Sequence, residues 1–402
     1  MQNQNRSQFE FVVLMAALMS IVALSIDAVL PALPKIGDYL SVSNPIENPK
    51  LITSIFLGLG IGQLIFGPLS DSFGRKPIVY AGFILFIVAS IICVTTKSFE
   101  MMLFGRVLQG IGLACPRTMC IAMIRDTYEG DYMAKIISIV VMVFILVPVV
   151  APTLGQYLMN HYNWQFIFTF NLIFGLLIMI WFWFRQPETL KDKYRIPYRL
   201  MIFKTGTLQF FRIKSAVIYT LLSGFITGSF MVYLSTSQLI FEKQYDLADE
   251  FPLIFASLAI SVGLATFFNS QLVVKFGMKR IVHIAMWSFI ITSLVFIVLF
   301  NSGHNPSIEV LILFFALQFF TIGFLFGNLR ALAMEPMGHI AGIGSALNGF
   351  ISTVMAVPIA DYIGQYVVNS VTPLFVGFLV CGIISLVLFY YNTARISKLI
   401  SS

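Results

Sequence analysis

Gly67-Pro68-Leu69-Ser70-Asp71-Ser72-Phe73-Gly74-Arg75-Lys76-Pro77 is a short, charged, glycine-containing turn between two long apolar runs. A weaker copy runs from Ser270 to Arg280. Leu69, Phe73, Gly74 and Lys76 find Leu272, Phe276, Gly277 and Lys279 at one constant offset of 203 positions. A chain that repeats a membrane hairpin at half its length is built from two related halves. The copy is not complete, because Asp71 becomes Val274.

Composition says what kind of halves these are. The 402 residues are 58% hydrophobic and only 11% charged, with 40 phenylalanines. A soluble domain carries roughly 25% charged residues. Apolar runs of about 20 residues recur along the chain, and each can cross a hydrocarbon core of about 30 Å as a helix. Inside lipid the backbone must satisfy its own hydrogen bonds, so these runs read as helices and not open strands. The run from Phe9 has no small-residue cleavage site behind it and reads as a retained helix.

The spacing predicts 12 spans, at 9–32, 51–69, 78–96, 101–125, 135–159, 165–185, 214–239, 251–273, 281–300, 308–334, 342–368 and 373–392. The expected fold is an all-α integral membrane protein of two pseudo-symmetric six-helix halves. The first half is 1–185, a basic linker is 186–213, and the second half is 214–402. The linker carries Lys191, Lys193, Arg195, Arg199, Lys204 and Arg212 and is expected to be solvated against anionic headgroups. Lysine and arginine are concentrated in alternate loops, on the side of both termini, which the positive-inside rule makes cytoplasmic. The net charge of +7 is therefore no nucleic-acid footprint.

Other function classes lose ground at this stage. Cys93, Cys115, Cys120 and Cys381 all lie in apolar runs and read as small core residues. The four histidines have no metal-ligand spacing, so neither a metal nor a cofactor is expected. No clustered set of catalytic polar groups is visible, which argues against an enzyme. A second alignment joins Asp126 to Glu335, Gly155 to Gly364 and Gln156 to Gln365, at an offset of 209. Parallel six-helix repeats are a transporter architecture with its site between the halves.

These residues resemble the major facilitator superfamily, and within it the drug:proton antiporters with 12 spans. Gly67, Leu69, Asp71, Gly74, Arg75 and Lys76 are similar to its G-x-L-x-D-x-x-G-R-K signature, with Ser72 where an arginine is usual. Arg106-Val-Leu-Gln109-Gly110-Ile-Gly112 resembles R-x-x-Q-G-x-G, and Ala151-Pro152-Thr-Leu-Gly155-Gln156 resembles the antiporter motif. Ser25 to Pro34, Pro187-Glu188-Thr189-Leu190 and Ala333 to Pro336 narrow the likeness to the bicyclomycin-resistance (Bcr/CflA) subgroup. The resemblance implies a multidrug efflux protein of the bacterial inner membrane. Its partners would be a small-molecule substrate, protons and the lipid bilayer, with no nucleic acid, and it would act as a monomer.

Physical reading assigns roles to particular side chains. Gly74 permits the bend, and Arg75 and Lys76 are expected to face anionic lipid. Asp71 is expected to accept hydrogen bonds at a helix N-terminus, where the dipole favours a carboxylate, and so to act as a gate with Gly67. Pro152 and Gly155 are expected to serve as packing or hinge residues of the same gate. Asp27 lies about 27 Å from the inner end of its helix, at 1.5 Å per residue. Arg106 enters from the other side to a similar depth. Ionisable groups inside a membrane are functional by default, and this acid and base are the candidates for proton coupling. Arg117 follows Arg106 by 11 residues, which returns it to within roughly 20° of the same helix face. Asp361 either pairs with Arg117 or binds a proton itself. Arg330 either faces the cavity or reaches water, and Gln109 and Asn328 are expected to line the cavity. Arg117 and Arg330 outnumber Asp361 once Asp27 neutralises Arg106, and guanidinium binds carboxylates in a bidentate manner. An anionic substrate such as a carboxylate siderophore is therefore expected, exported in exchange for protons. Import or uniport of a small anionic metabolite by the same fold is the alternative.

Overall fold

The computed structural model describes residues 7–195, 200–300 and 305–401; Arg199 of the basic segment lies outside them. Among the described residues there are helices and no strands. Twelve helical stretches are long and apolar enough to cross a membrane. The chain is an all-α, multi-pass membrane protein with two compact units, Met1–Ile202 and Phe203–Ser402.

The first unit contains α1 (Gln8–Asp27), α2 (Leu33–Tyr39), α3 (Lys50–Phe73), α4 (Arg75–Thr95), α5 (Phe99–Thr127), α6 (Gly130–His161) and α7 (Trp164–Arg185). Ser7 starts α1 by accepting the Glu10 N–H at 3.1 Å. The first span does not run through as one helix. It breaks after Asp27 into a 3₁₀ turn, Leu30–Ala32, and resumes as α2. Pro31 and Pro34 cause the break, since each lacks an N–H and clashes with the turn before it. At the heart of the unit α3 and α5 approach closely. A Cβ on Gly58 would sit 2.0 Å from the Val107 carbonyl oxygen, and one on Gly110 would sit 2.0 Å from that of Ile55. Small residues let helix backbones touch in lipid, where packing replaces the hydrophobic drive.

The second unit contains all but the first residues of α8 (Leu200–Arg212), then α9 (Lys214–Leu239), α10 (Phe251–Phe276), α11 (Met278–Leu299), α12 (Ile308–Met334), α13 (Ala341–Gly364) and α14 (Thr372–Ser401). The basic segment is thus more than a solvated linker. Its α8 docks on this unit, with Gly206 against Ile343 of α13 and Phe210 fully buried. The interior is aromatic. Tyr233 of α9 meets Phe315 and Phe319 of α12 at ring-centroid distances of 5.1 and 4.5 Å. Past α9 the chain widens into a π-helical turn, Ile240–Gln244.

Candidate functional site

The turn that opened the sequence is a clamp inside the first unit. Gly74 has φ of +99° and ψ of 160°, a conformation open essentially to glycine alone. The carboxylate at the start of α4 belongs to Glu188, not to Asp71 as expected. Glu188 Oε1 accepts the Arg75 N–H and Oε2 accepts the Lys76 N–H, each at 3.0 Å. Oε1 also accepts the N–H groups of Thr189 and Leu190, both at 2.9 Å. The segment after α7 therefore folds back on itself and caps α4, where the helix dipole favours negative charge. A Cβ on Gly74 would lie 2.6 Å from Glu188 Oε2, a second reason for glycine.

Arg75 does not face lipid either; it is 8% exposed. Its Nη1 donates to Asp71 Oδ1 and to Ser70 Oγ, and its Nε donates to Asp126 Oδ2 at 3.0 Å. Asp126 Oδ2 accepts the Thr189 hydroxyl as well, at 3.0 Å. Lys76 Nζ donates to the Trp183 carbonyl at 3.1 Å. A buried guanidinium takes the acceptors of the surrounding helix ends because lipid offers none. Gly67 takes part through its carbonyl, which accepts the Ser70 hydroxyl at 2.8 Å. Ser72, at the usual arginine position, bonds back to the Pro68 carbonyl. The second-half copy has only the bend. Gly277 has φ of +76° with nothing within 4 Å of a Cβ, and Val274 is 87% exposed.

The coupling candidates lie deeper in the same unit. Asp27 is buried, at the last residue of α1 before the break. Arg106 of α5 is 0% exposed. Its Nε donates to the Leu51 carbonyl at 3.0 Å, and its Nη1 donates to the Ser25 carbonyl at 3.0 Å and to Gln109 Oε1 at 2.6 Å. The guanidinium carbon lies 5.6 Å from the Phe168 ring centroid. Among the described residues neither Asp27 nor Arg106 forms an ion pair. Arg106 is held by neutral oxygens, one of them the Ser25 carbonyl two residues before Asp27, and not by the acid itself. Gln109 is also 0% exposed. It donates to Ser90 Oγ at 2.9 Å and thus joins α5 to α4 instead of lining an open cavity.

Pro152 and Gly155 of α6 come up against the broken span. A Cβ on Gly155 would sit 1.9 Å from the carbonyl oxygen of Ala28, the residue after Asp27. Pro152 lies inside α6, one turn earlier, and is buried. The antiporter-like stretch and the candidate proton carrier are thus neighbours, which their separation in sequence does not suggest.

The remaining candidates are spread over both units. Arg117 follows Pro116 in α5 and is half-buried. Arg106 points into the interior of the unit, so the shared helix face does not put both arginines on open water. In the second unit Arg330 is exposed and lies 3.4 Å from Ser345 Oγ. Asp361 is exposed in the last turn of α13. Asn328 is 3% exposed and donates to Asn269 Oδ1 at 2.6 Å and to the Phe324 carbonyl at 2.9 Å, tying α12 to α10. Sequence reasoning missed the roles of Glu188 and Asp126, both visible there only as parts of short motifs, and of Ser90, which carries no local signal.

Comparison with known proteins adds the family. The Major Facilitator Superfamily profile matches residues 15–360. The bicyclomycin resistance protein homolog of Haemophilus influenzae is 28% identical over 410 aligned positions, covering 98% of each chain. The multidrug resistance protein MdtL of Shewanella oneidensis is 29% identical, covering 81% of each. Among solved structures, a D-xylose-proton symporter superposes with a TM-score of 0.74 at 15% identity, covering 94% of this chain and 97% of that one. The human organic anion transporter MFSD10 superposes with a TM-score of 0.68 at 15% identity, covering 96% and 99%.

Proposed function

We propose, for a chain that belongs to the Major Facilitator Superfamily, proton-coupled export of small molecules across a bacterial inner membrane by alternating access, with both termini cytoplasmic. The observation that carries the proposal is Asp27: a buried acid in no ion pair among the described residues, at the break of the first span and beside Gly155. An ionisable group at membrane depth is costly unless it serves transport. Here Asp27 carries the proton: burial favours its protonated form, and the positive field of Arg106 favours release of the proton. Asp361 is a second proton acceptor on the other half. Resistance and multidrug proteins among the relatives favour export.

The cytoplasmic clamp of Asp71, Arg75 and Lys76 around Gly74, with Gly67 behind it, acts as the gate. It holds the helix ends of the first half together while Pro152 and Gly155 let span 5 move against span 1. Arg117 and Arg330 recognise the substrate, while Gln109 and Asn328, committed to interhelical hydrogen bonds, brace the helices that carry them. Their charge favours a carboxylate over a cation, as in a polycarboxylate siderophore. The carrier works as a monomer.

The test uses everted membrane vesicles and a panel of bicyclomycin, cationic dyes and tricarboxylates. Accumulation of at least one compound, driven by an imposed proton gradient and absent in Asp27→Asn, is the expected result. Flux indifferent to the gradient would mean uniport. In Arg117→Ala, loss should be confined to the anionic compounds; unchanged export of all of them removes the anionic assignment.

A further inference from the structure

Asn171 of α7 is fully buried, and neither its amide oxygen nor its amide nitrogen has a hydrogen-bond partner among the described residues. An amide in that state has given up its hydrogen bonds to water and gained none in return. Its position is bracketed from both sides. One turn earlier, Phe168 lies under the Arg106 guanidinium. One turn later, Gly175 backs onto the Phe86 ring of α4, with a Cβ there only 2.7 Å away. The Phe86 carbonyl accepts the Ser90 hydroxyl at 2.7 Å, and Ser90 in turn accepts Gln109. Two more buried polar atoms on the surrounding helices lack partners, Arg106 Nη2 and Ser25 Oγ. Arg106 Nη1 already reaches the carbonyl of Ser25, two residues before Asp27.

We infer that Asn171, Arg106 and Ser25 hold ordered water inside the first unit, and that this water passes protons to and from Asp27. The inference rests on the coupling role proposed for Asp27. The donor and acceptor set selects the ligand. An anion could use Arg106 Nη2 and the Asn171 amino group but would leave the Asn171 oxygen unmet. Water donates and accepts, and a buried water makes about three hydrogen bonds. In each transfer the water gives one proton to the Asp27 carboxylate and takes one from the next water toward the outer side, so it ends unchanged. One competing group is the buried Cys93 thiol of α4, which interacts with Arg106. α7 has no titratable side chain between Trp164 and Arg185, and α6 has none between Lys135 and Tyr157. α5 presents Arg106, Cys115, Arg117 and Cys120.

The experiment uses the full chain in lipid vesicles with Asn171→Leu, which keeps volume without hydrogen bonds, and Asn171→Ser, which keeps a hydroxyl. Infrared difference spectroscopy identifies the protonated Asp27 carboxyl band by its loss in Asp27→Asn. The rate at which that band shifts after transfer to deuterated buffer measures proton access. Asn171→Leu should slow the shift about tenfold or more, with Asn171→Ser within about threefold of the parent. X-ray hydroxyl-radical footprinting should label Phe168, which is 0% exposed, in the parent and not in Asn171→Leu. Parent-like exchange in Asn171→Leu, or an unlabelled Phe168 in the parent, overturns the inference. Proton-driven export that survives Asp27→Asn instead overturns the coupling role and leaves the water measurement standing.

Discussion

Glu188 answers two backbone donors at the start of α4 and two more in its own turn, whereas Asp71 is one of three acceptors around Arg75. The Asp71 side chain is 35% exposed, and without it Arg75 Nη1 keeps the Ser70 hydroxyl and Nε keeps Asp126, so no buried donor is left wholly unmet. Removing Glu188 strands N–H groups at about 1–3 kcal/mol each. Glu188→Ala is therefore expected to lower the melting midpoint of the purified protein clearly more than Asp71→Asn. Equal effects would show that the cap is not what holds this turn. Arg106 is the sharper case. Its loss in Arg106→Met strands the Gln109 oxygen and the carbonyls of Leu51 and Ser25 together, for about 3 kcal/mol or more. Arg106→Met should fall in thermal stability as well as in transport, while Asp27→Asn, which leaves a neutral group where no ion pair existed, should keep its melting midpoint.

At the scale of elements, the two glycine turns make a matched pair. Gly74 and Gly277 share a positive φ, so an added Cβ strains both by roughly 1–3 kcal/mol. Only at Gly74 would that Cβ also displace a carboxylate, Glu188. Gly74→Ala should thus cost more stability than Gly277→Ala and slow transport more, measured by melting and by vesicle flux. Similar losses in the two would mean that the clamp adds nothing to the bend. The break after Asp27 meets α6 with no slack, so Gly155→Val must push α6 or the Ala28 carbonyl aside. Proton-driven flux is expected to fall at least about tenfold in that variant with the protein still folded. A fully active Gly155→Val would separate the antiporter-like stretch from coupling.

At the scale of the whole molecule, the two units share a helical plan, and the basic loops are the ground for the proposed orientation. All four cysteines are buried, which makes labelling of introduced ones clean. A membrane-impermeant maleimide should label Lys193→Cys only from the cytoplasmic side and Lys97→Cys only from outside. The reverse pattern would invert the proposed direction of transport.

Chain patterning alone determined that the protein is a twelve-span, all-α membrane protein with duplicated halves. Hydrophobic runs of membrane length and the constant offset between Gly74 and Gly277 are properties of the chain itself, and lipid leaves such runs no other fold. The turn motif also marked Gly74 and Arg75, and ionisable groups at membrane depth marked Asp27 and Arg106 as residues of interest. Tertiary structure decided their partners. Glu188 lies 112 positions from Lys76 in the chain and Leu51 lies 55 from Arg106, yet each is in hydrogen-bond contact. Local sequence periodicity reports which face of a helix is apolar. It does not report which distant carboxylate or carbonyl a buried cation will find. That choice is made when the helices pack and bring particular donors and oxygens within reach of one another.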